Sequence, residues 1–392
     1  MMNIFAVLIA LRLIVSPASG SSERDVLEHL LSNYGTHSKA VRPVRNASDT
    51  IRVELRILIA QIIDIDEPKQ QLIVNTWQKM SWKDEYMVWN PDDYGGLDVI
   101  HALPSQIWKP NIVLVENVDF FFSNYNKDVV LIIAADGSVI WYTLTMLRVS
   151  CKIHTRLFPF DVQQCTLTFM SWAYDMPSLD LTFVDDDDAN QRIFNENGVW
   201  RFVDLDFKRV EKKYICCKHP YTQVIYTLTL KRQSEFYIYS MLIPSVLLTV
   251  ITLMVLAIPP ESGEKVALGI TNLLAFILFQ QLISDNMPPQ GDEIPVITTY
   301  LFSMVILGVA SIIETVFVLR LFHKPEDEPI PKAVVRFSSF IRLRKTTMTW
   351  KLVAKAVDKF MFIVFLMTAS VMVLISYLLL LTGHVEGQEH IH

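Results

Sequence analysis

Cys151-Lys152-Ile153-His154-Thr155-Arg156-Leu157-Phe158-Pro159-Phe160-Asp161-Val162-Gln163-Gln164-Cys165 is the stretch on which the fold turns. Two cysteines this close can close a small loop, a constraint of about 3 kcal/mol in the chain-entropy account. Such a bond persists only in an oxidising compartment, so the loop is expected outside the cell. Upstream lie short alternating segments. Downstream lie four apolar runs of membrane length, Phe236–Ile258, Val266–Ser284, Val296–Leu321 and Phe360–Thr382.

Composition agrees with such a mixed chain. Of 392 residues, 51% are hydrophobic and 19% charged, too apolar for an ordinary soluble protein and too charged for one wholly in lipid. Residues 1–20 carry the apolar core Ile4–Leu11 and small residues at Ala18-Ser19-Gly20. They read as a signal peptide, because an apolar run shorter than about 17 residues does not span a bilayer. The part that follows, 21–234, is then extracellular, and four crossings return the tail 383–392 to the outside. The connection 323–357 is expected in the cytoplasm, since Lys324, Lys332, Arg336, Arg342, Arg344 and Lys345 lie in it, while Met287–Pro295 and the tail carry no Lys or Arg. The net charge of -6, with no basic patch interleaved with aromatics, gives no reason to expect nucleic acid. No metal-ligand cluster, phosphate loop or nucleophile motif suggests an enzyme or a cofactor.

The extracellular half reads as all-β after a short helix. Ser22-Glu23-Arg24-Asp25 has the form of a capping box. Ile51, Val53, Leu55, Ile57 and Ile59 then alternate with intervening residues, the period of a strand buried on one face. Shorter runs at Gln71–Trp77, Val129–Ile133, Val139–Leu144, Cys165–Met170 and Thr222–Leu230 suggest a β-sandwich. Asn46-Ala47-Ser48 is a glycosylation sequon. Cys216 and Cys217 are adjacent, with Cα atoms about 3.8 Å apart, closer than relaxed disulfides prefer. They are either a strained ring, of the kind found at binding sites, or two free thiols.

The second apolar run carries Glu264, Ala267, Thr271, Leu274, Leu278, Gln281 and Asp285 at alternating spacings of three and four, hence on one helix face. A stripe that begins and ends in carboxylates is the natural water-facing side of helix 265–286. Pro244 interrupts the first run.

The Phe-Pro-Phe-Asp loop between cysteines resembles the signature of the Cys-loop receptors, the pentameric ligand-gated ion channels. The stretch Tyr214-Ile215-Cys216-Cys217-Lys218-His219-Pro220-Tyr221 resembles the agonist-capping loop of nicotinic acetylcholine receptor α-type subunits. This resemblance implies disulfides Cys151–Cys165 and Cys216–Cys217, and an extracellular all-β sandwich above a transmembrane four-helix bundle. It implies a small-molecule agonist bound between subunits, with Trp172, Tyr214, Cys216, Cys217 and Tyr221 on one face and Trp77 on the neighbour's. Aromatic cages of this kind attract cations through the ring quadrupole. Glu264 and Asp285 would be charge rings that favour cations, and Leu274 and Leu278 the apolar gate. Phe158, Pro159, Phe160, Asp66 in the turn Asp64–Glu67, and Arg232 would couple site to gate. Sodium, potassium and calcium are the implied permeant ions, and identical or homologous subunits the implied partners. A plasma-membrane, postsynaptic location among lipids is implied, with basic residues such as Arg342 as lipid anchors.

The pattern also departs from that family. Trp108–Val115 resembles a loop that there carries Pro-Asp and ends on tyrosine, whereas here it has Asn111 and Val115. Lys79 lies two residues after Trp77, on the same strand face, and adds a cation to the pocket. Tyr142 stands where the family often has an aliphatic residue and supplies an aromatic instead. Asp185–Asp188 is either a solvated loop or a divalent-cation site. Two other readings stay open: the same channel gated by another ligand, and a membrane-anchored binding protein that does not conduct.

Overall fold

The computed structural model describes residues 23–34, 38–119, 129–184, 194–195, 197–285, 287, 294–325, 328–331 and 349–389. The signal peptide expected over 1–20, Asp185–Asp188, most of the segment between the second and third apolar runs, and the basic residues from Lys332 to Lys345 lie outside the described residues.

Helix α1 (Glu23–Tyr34) packs through Val26, Leu30 and Tyr34, four residues apart and so on one face. Ten strands follow: β1 (Ile51–Asp66), β2 (Gln71–Lys83), β3 (Val99–Ala102), β4 (Ile112–Leu114), β5 (Leu131–Ala134), β6 (Ser138–Ser150), β7 (Val162–Ser171), β8 (Leu179–Phe183), β9 (Trp200–Lys212) and β10 (Tyr221–Arg232). They form a six-stranded sheet in the order β3-β5-β6-β2-β1-β8 and a four-stranded sheet in the order β4-β7-β10-β9. The inner faces close on one core, including Leu55, Ile57, Trp108, Trp141, Phe169 and Leu228. Across it the Tyr226 hydroxyl on β10 donates to the Leu55 carbonyl on β1 at 2.9 Å.

Strand β2 runs past Trp77 to Lys83, six residues beyond the apolar alternation. Thr76 and Gln78 are both buried, and the Gln78 amide donates to the Thr76 hydroxyl at 3.1 Å. Inside and outside still alternate there, but two polar side chains on the inner face hide the pattern.

Asp84 anchors the top of the sandwich. Its buried carboxylate accepts from the Tyr34 hydroxyl (2.7 Å) and the Tyr86 amide (3.0 Å), and the Trp108 amide donates to the same Tyr34 oxygen at 3.0 Å. Burial pushes its pKa up from 3.8 to about 6, against the pull of those hydrogen bonds. Between these two values the folded state holds the proton that the unfolded chain releases. Stability therefore falls as pH rises through the window, by about 3 kcal/mol at most, and is flat above it. Asp84→Asn is expected to remove this slope from melting temperatures measured between pH 4 and 6. An unchanged slope would assign it to another group.

Four helices form the second half: α2 (Glu235–Ala257), α3 (Lys265–Asp285), α4 (Val296–Phe322) and α5 (Trp350–Glu389), each long and apolar enough to cross a membrane. In α2 a π-turn at Ile238–Leu242 precedes Pro244, a wider turn at the place where the proline supplies no amide hydrogen. The helix α5 starts at Trp350, ten residues ahead of the apolar run that begins at Phe360. Its first turns are amphipathic: Trp350, Val353, Ala354 and Ala356 are buried while Lys351, Lys355 and Lys359 face out, and averaging over both faces conceals the helix. Some buried polar groups in the bundle are paired across helices. Thr249 and Tyr300 share a hydrogen bond of 2.6 Å, and Asn272 donates to Thr252 at 2.7 Å.

Candidate functional site

Trp172 follows the end of β7, where its amide donates to the Asn111 carbonyl (3.1 Å) and its side chain stands 71% exposed. Tyr214 and Tyr221 flank the β9–β10 connection, with ring centroids 5.8 Å apart and nearly perpendicular. Between them Cys216 and Cys217 are bonded, with Cα atoms 3.8 Å apart. Buried Gln223 donates to the Tyr214 hydroxyl at 2.9 Å, and Lys212 lies 5.5 Å from the Tyr214 ring. Val115 is half-exposed beside this set, its amide bonded to the Thr168 carbonyl of β7. Thus Trp172, Tyr214, Tyr221, Cys216, Cys217 and Val115 all belong to the four-stranded sheet and its loops.

Trp77, Lys79 and Tyr142 belong to the other sheet. Strict alternation on β2 and β6 turns them outward while Thr76, Gln78, Thr143 and Thr145 turn in. Lys79 stands opposite Tyr142 in the β2–β6 register, its ammonium 5.9 Å from the ring centroid. The cation that the sequence places near Trp77 is thus already engaged by an aromatic face. Asn46, the sequon residue, is exposed.

At the lower end of the sandwich, the loop closed by Cys151–Cys165 (Cα atoms 5.2 Å apart) reaches the helices. Its cis peptide joins Phe158 to Pro159. Phe158 is buried in a cluster with Met241, Phe276, Ile297, Tyr300 and Leu301, and meets the Tyr237 ring edge-on at 5.0 Å. The Val296 amide donates to the Arg156 carbonyl at 3.0 Å. Phe160 lines an apolar cavity of about 310 Å³ with Ile238, Val296 and Tyr377.

Arg232, last residue of β10, is the hub of this junction. Its Nε and Nη2 donate to Asp161 (2.8 and 3.1 Å) and its Nη1 to Glu67 (2.7 Å), while its guanidinium lies 4.2 Å from the Trp200 ring. Burial works against its charge, but the two carboxylates more than offset this and hold its pKa above the ordinary value. Of the residues expected to couple, Asp66 is not part of the knot. It binds Lys69 through both its amide (3.0 Å) and ammonium (2.6 Å), and these bonds hold its carboxyl below the usual range. Glu67, one residue on, takes that place. Asp161 is the second partner that residue-type reasoning passed over, although an acid set between Phe160 and Val162 was the visible signal.

All seven stripe residues are exposed, Glu264 just ahead of α3 and Ala267, Thr271, Leu274, Leu278, Gln281 and Asp285 on it; Gly269, Asn272, Phe276 and Ile283 on other faces are buried, while Leu268, Ile270, Ile277 and Leu282 are exposed as well. Thr271 returns its hydroxyl to the Ala267 carbonyl (2.8 Å) and Gln281 donates to Asp285 (2.8 Å). Among the described residues no cluster of His, Cys, Asp and Glu could hold a metal ion.

Comparison with known proteins accounts for both halves. Residues 23–234 match the neurotransmitter-gated ion-channel ligand binding domain, and residues 241–348 the neurotransmitter-gated ion-channel transmembrane region. The chain is 35% identical over 316 residues to neuronal acetylcholine receptor subunit alpha-9-II of Oncorhynchus mykiss, an alignment covering 80% of this chain and 56% of that one. It is 34% identical over 329 residues to acetylcholine receptor subunit alpha-type acr-16 of Caenorhabditis elegans (83% and 65%), and 34% identical over 325 residues to human neuronal acetylcholine receptor subunit alpha-10 (83% and 72%). The chain thus spans between about half and two-thirds of the length of the first two relatives. Two matched regions that meet at the Arg232 junction, with relatives of one kind, lead to one assignment: this chain belongs to the neurotransmitter-gated ion-channel family and is nicotinic acetylcholine receptor-like.

Proposed function

We propose that the chain is a subunit of an agonist-gated, cation-selective channel whose pore is lined by α3. The observation that carries this reading is the stripe from Glu264 to Asp285, six exposed residues on one face of α3 continued by Glu264 just ahead of it, with a carboxylate at each end. Several copies around an axis would set these acids as two negative rings that concentrate cations and repel anions, and Leu274 and Leu278 as rings that exclude water. Trp172, Tyr214, Tyr221 and the Cys216–Cys217 ring supply one face of the agonist site. Trp77 and Tyr142, on the other sheet, supply the face met by the neighbouring subunit. Because both faces occur on one chain, a homopentamer in the plasma membrane is the simplest assembly.

Voltage-clamp recording of cells expressing this chain alone, with acetylcholine as the probe, tests the reading. The evoked current is expected to reverse at a potential that follows sodium and potassium gradients and ignores chloride. Reversal that tracks chloride would defeat the charge-ring argument.

A different agonist is the second reading, and Val115 and Lys79 favour it. Val115 leaves one wall of the cage without a ring, and Lys79 puts a cation beside Trp77, which a purely cationic ligand would meet as repulsion. Silence to acetylcholine with a response to an uncharged or zwitterionic ligand would select it.

A further inference from the structure

Lys265, first residue of α3, has a side chain only 1% exposed. Its ammonium donates to the Leu256 carbonyl at the end of α2 (3.1 Å) and to Asp358 on α5. One turn away along α5, Lys355 pairs with Glu261 (2.6 Å) in the Pro260–Ser262 turn that leads into α3. Two ion pairs therefore tie the foot of α3 to α5. On the α4 side stands Glu314, 6% exposed, with both carboxylate oxygens buried and without a hydrogen-bond partner among the described residues. The charges that act on it are those of Lys265 and Asp358. The two helices are close here, since a Cβ added at Gly269 would lie 3.3 Å from the Ile312 side chain.

One buried ammonium thus has two carboxylates acting on its surroundings, the partly buried Asp358 joined to it and the buried Glu314 left over. A buried carboxylate without a partner is strongly unfavourable, and such a group in a native structure calls for an explanation. We propose that Glu314 is the alternative counter-ion of Lys265, to which the ammonium passes from Asp358 when α3 changes position during gating. The exchange removes one of the two ties to α5, leaving Lys355–Glu261, and fastens α3 to α4. Glu264 is the residue before Lys265, so the inner carboxylate ring moves with it. Glu314 and Asp358 act as positioning residues that favour opposite states.

The inference rests on the channel reading above. The test is voltage clamp of the full chain, with acetylcholine as probe and with the standing current of a Leu274→Ser background as a readout that needs no agonist. Glu314→Gln and Asp358→Asn are expected to shift the half-maximal concentration, or the standing current, in opposite directions by about fivefold or more each. In a Lys265→Gln background both shifts should vanish. Surface labelling normalises for folding, and Glu314→Asp, which keeps the charge, replaces Glu314→Gln if that variant fails to reach the surface and is expected to give a smaller shift of the same sign. Shifts of the same sign, or shifts that survive Lys265→Gln, would overturn the proposal. No current from any variant in either readout would instead count against the channel reading itself.

Discussion

Replacing Leu274 with serine is expected to lower the half-maximal agonist concentration at least about tenfold and to produce a standing current without agonist. Leu274 is exposed on α3, one turn from Thr271 and one from Leu278. In the proposed closed ring these leucines shield one another from water. Each leucine removed takes away roughly 2 kcal/mol of apolar burial, and the substitution is repeated in every subunit that contributes the same chain. Since 1.4 kcal/mol changes an equilibrium about tenfold, loss of even a fraction of the summed burial from the closed state is enough. Concentration–response curves and holding current under voltage clamp check this. If neither moves, Leu274 does not form the gate.

The second large effect is expected at Arg232. Its side chain is 1% exposed and Asp161 is 2% exposed, so removal of the guanidinium leaves a carboxylate sealed away from both water and counter-charge. Breaking one partner of such a pair costs about 3 to 5 kcal/mol, comparable to the whole stability of many domains. Arg232→Gln should therefore abolish surface receptors, as read by labelling of intact cells. Arg232→Lys keeps the charge but cannot serve Asp161 and Glu67 together with the planar fork. It should reach the surface in reduced number with altered agonist sensitivity. Normal surface density and normal responses in Arg232→Gln would show that the knot bears no weight.

Much of the architecture was legible in the sequence, and the reasons differ by element. The alternation from Ile51 to Ile59 and the four apolar runs report burial directly, because side-chain direction repeats every two or every 3.6 residues. The stripe on α3 was legible for the same reason. Strands β3, β4 and β8, with four, three and five residues, lack an apolar run as long as the one, Val129–Ile133, that marked the equally short β5, and β9, though thirteen residues long, was missed because only Trp200 and Leu205 along it are buried. The choice between Asp66 and Glu67 was not readable either: strand β1 shifts register twice before that turn, between Ile59 and Gln61 and between Ile62 and Asp64, so counting along it loses track of which carboxylate points to Arg232. The burial of Lys265 depends on Asp358, ninety-three positions away, and no local pattern reports such a pairing.

The seat of Phe158 among Met241, Phe276 and Tyr300 has a practical side. Strand β10 gives way to α2 after only Gln233 and Ser234, so a recombinant fragment cut there would end at a natural seam. Such a fragment, however, would present the Phe158-Pro159 tip to solvent in place of α2 and its neighbours. Uncovered apolar tips of this sort promote self-association. A soluble form of the sandwich would thus call for polar residues at Phe158 and Pro159, and the changes that make it soluble would also erase the contact by which it reports to the membrane.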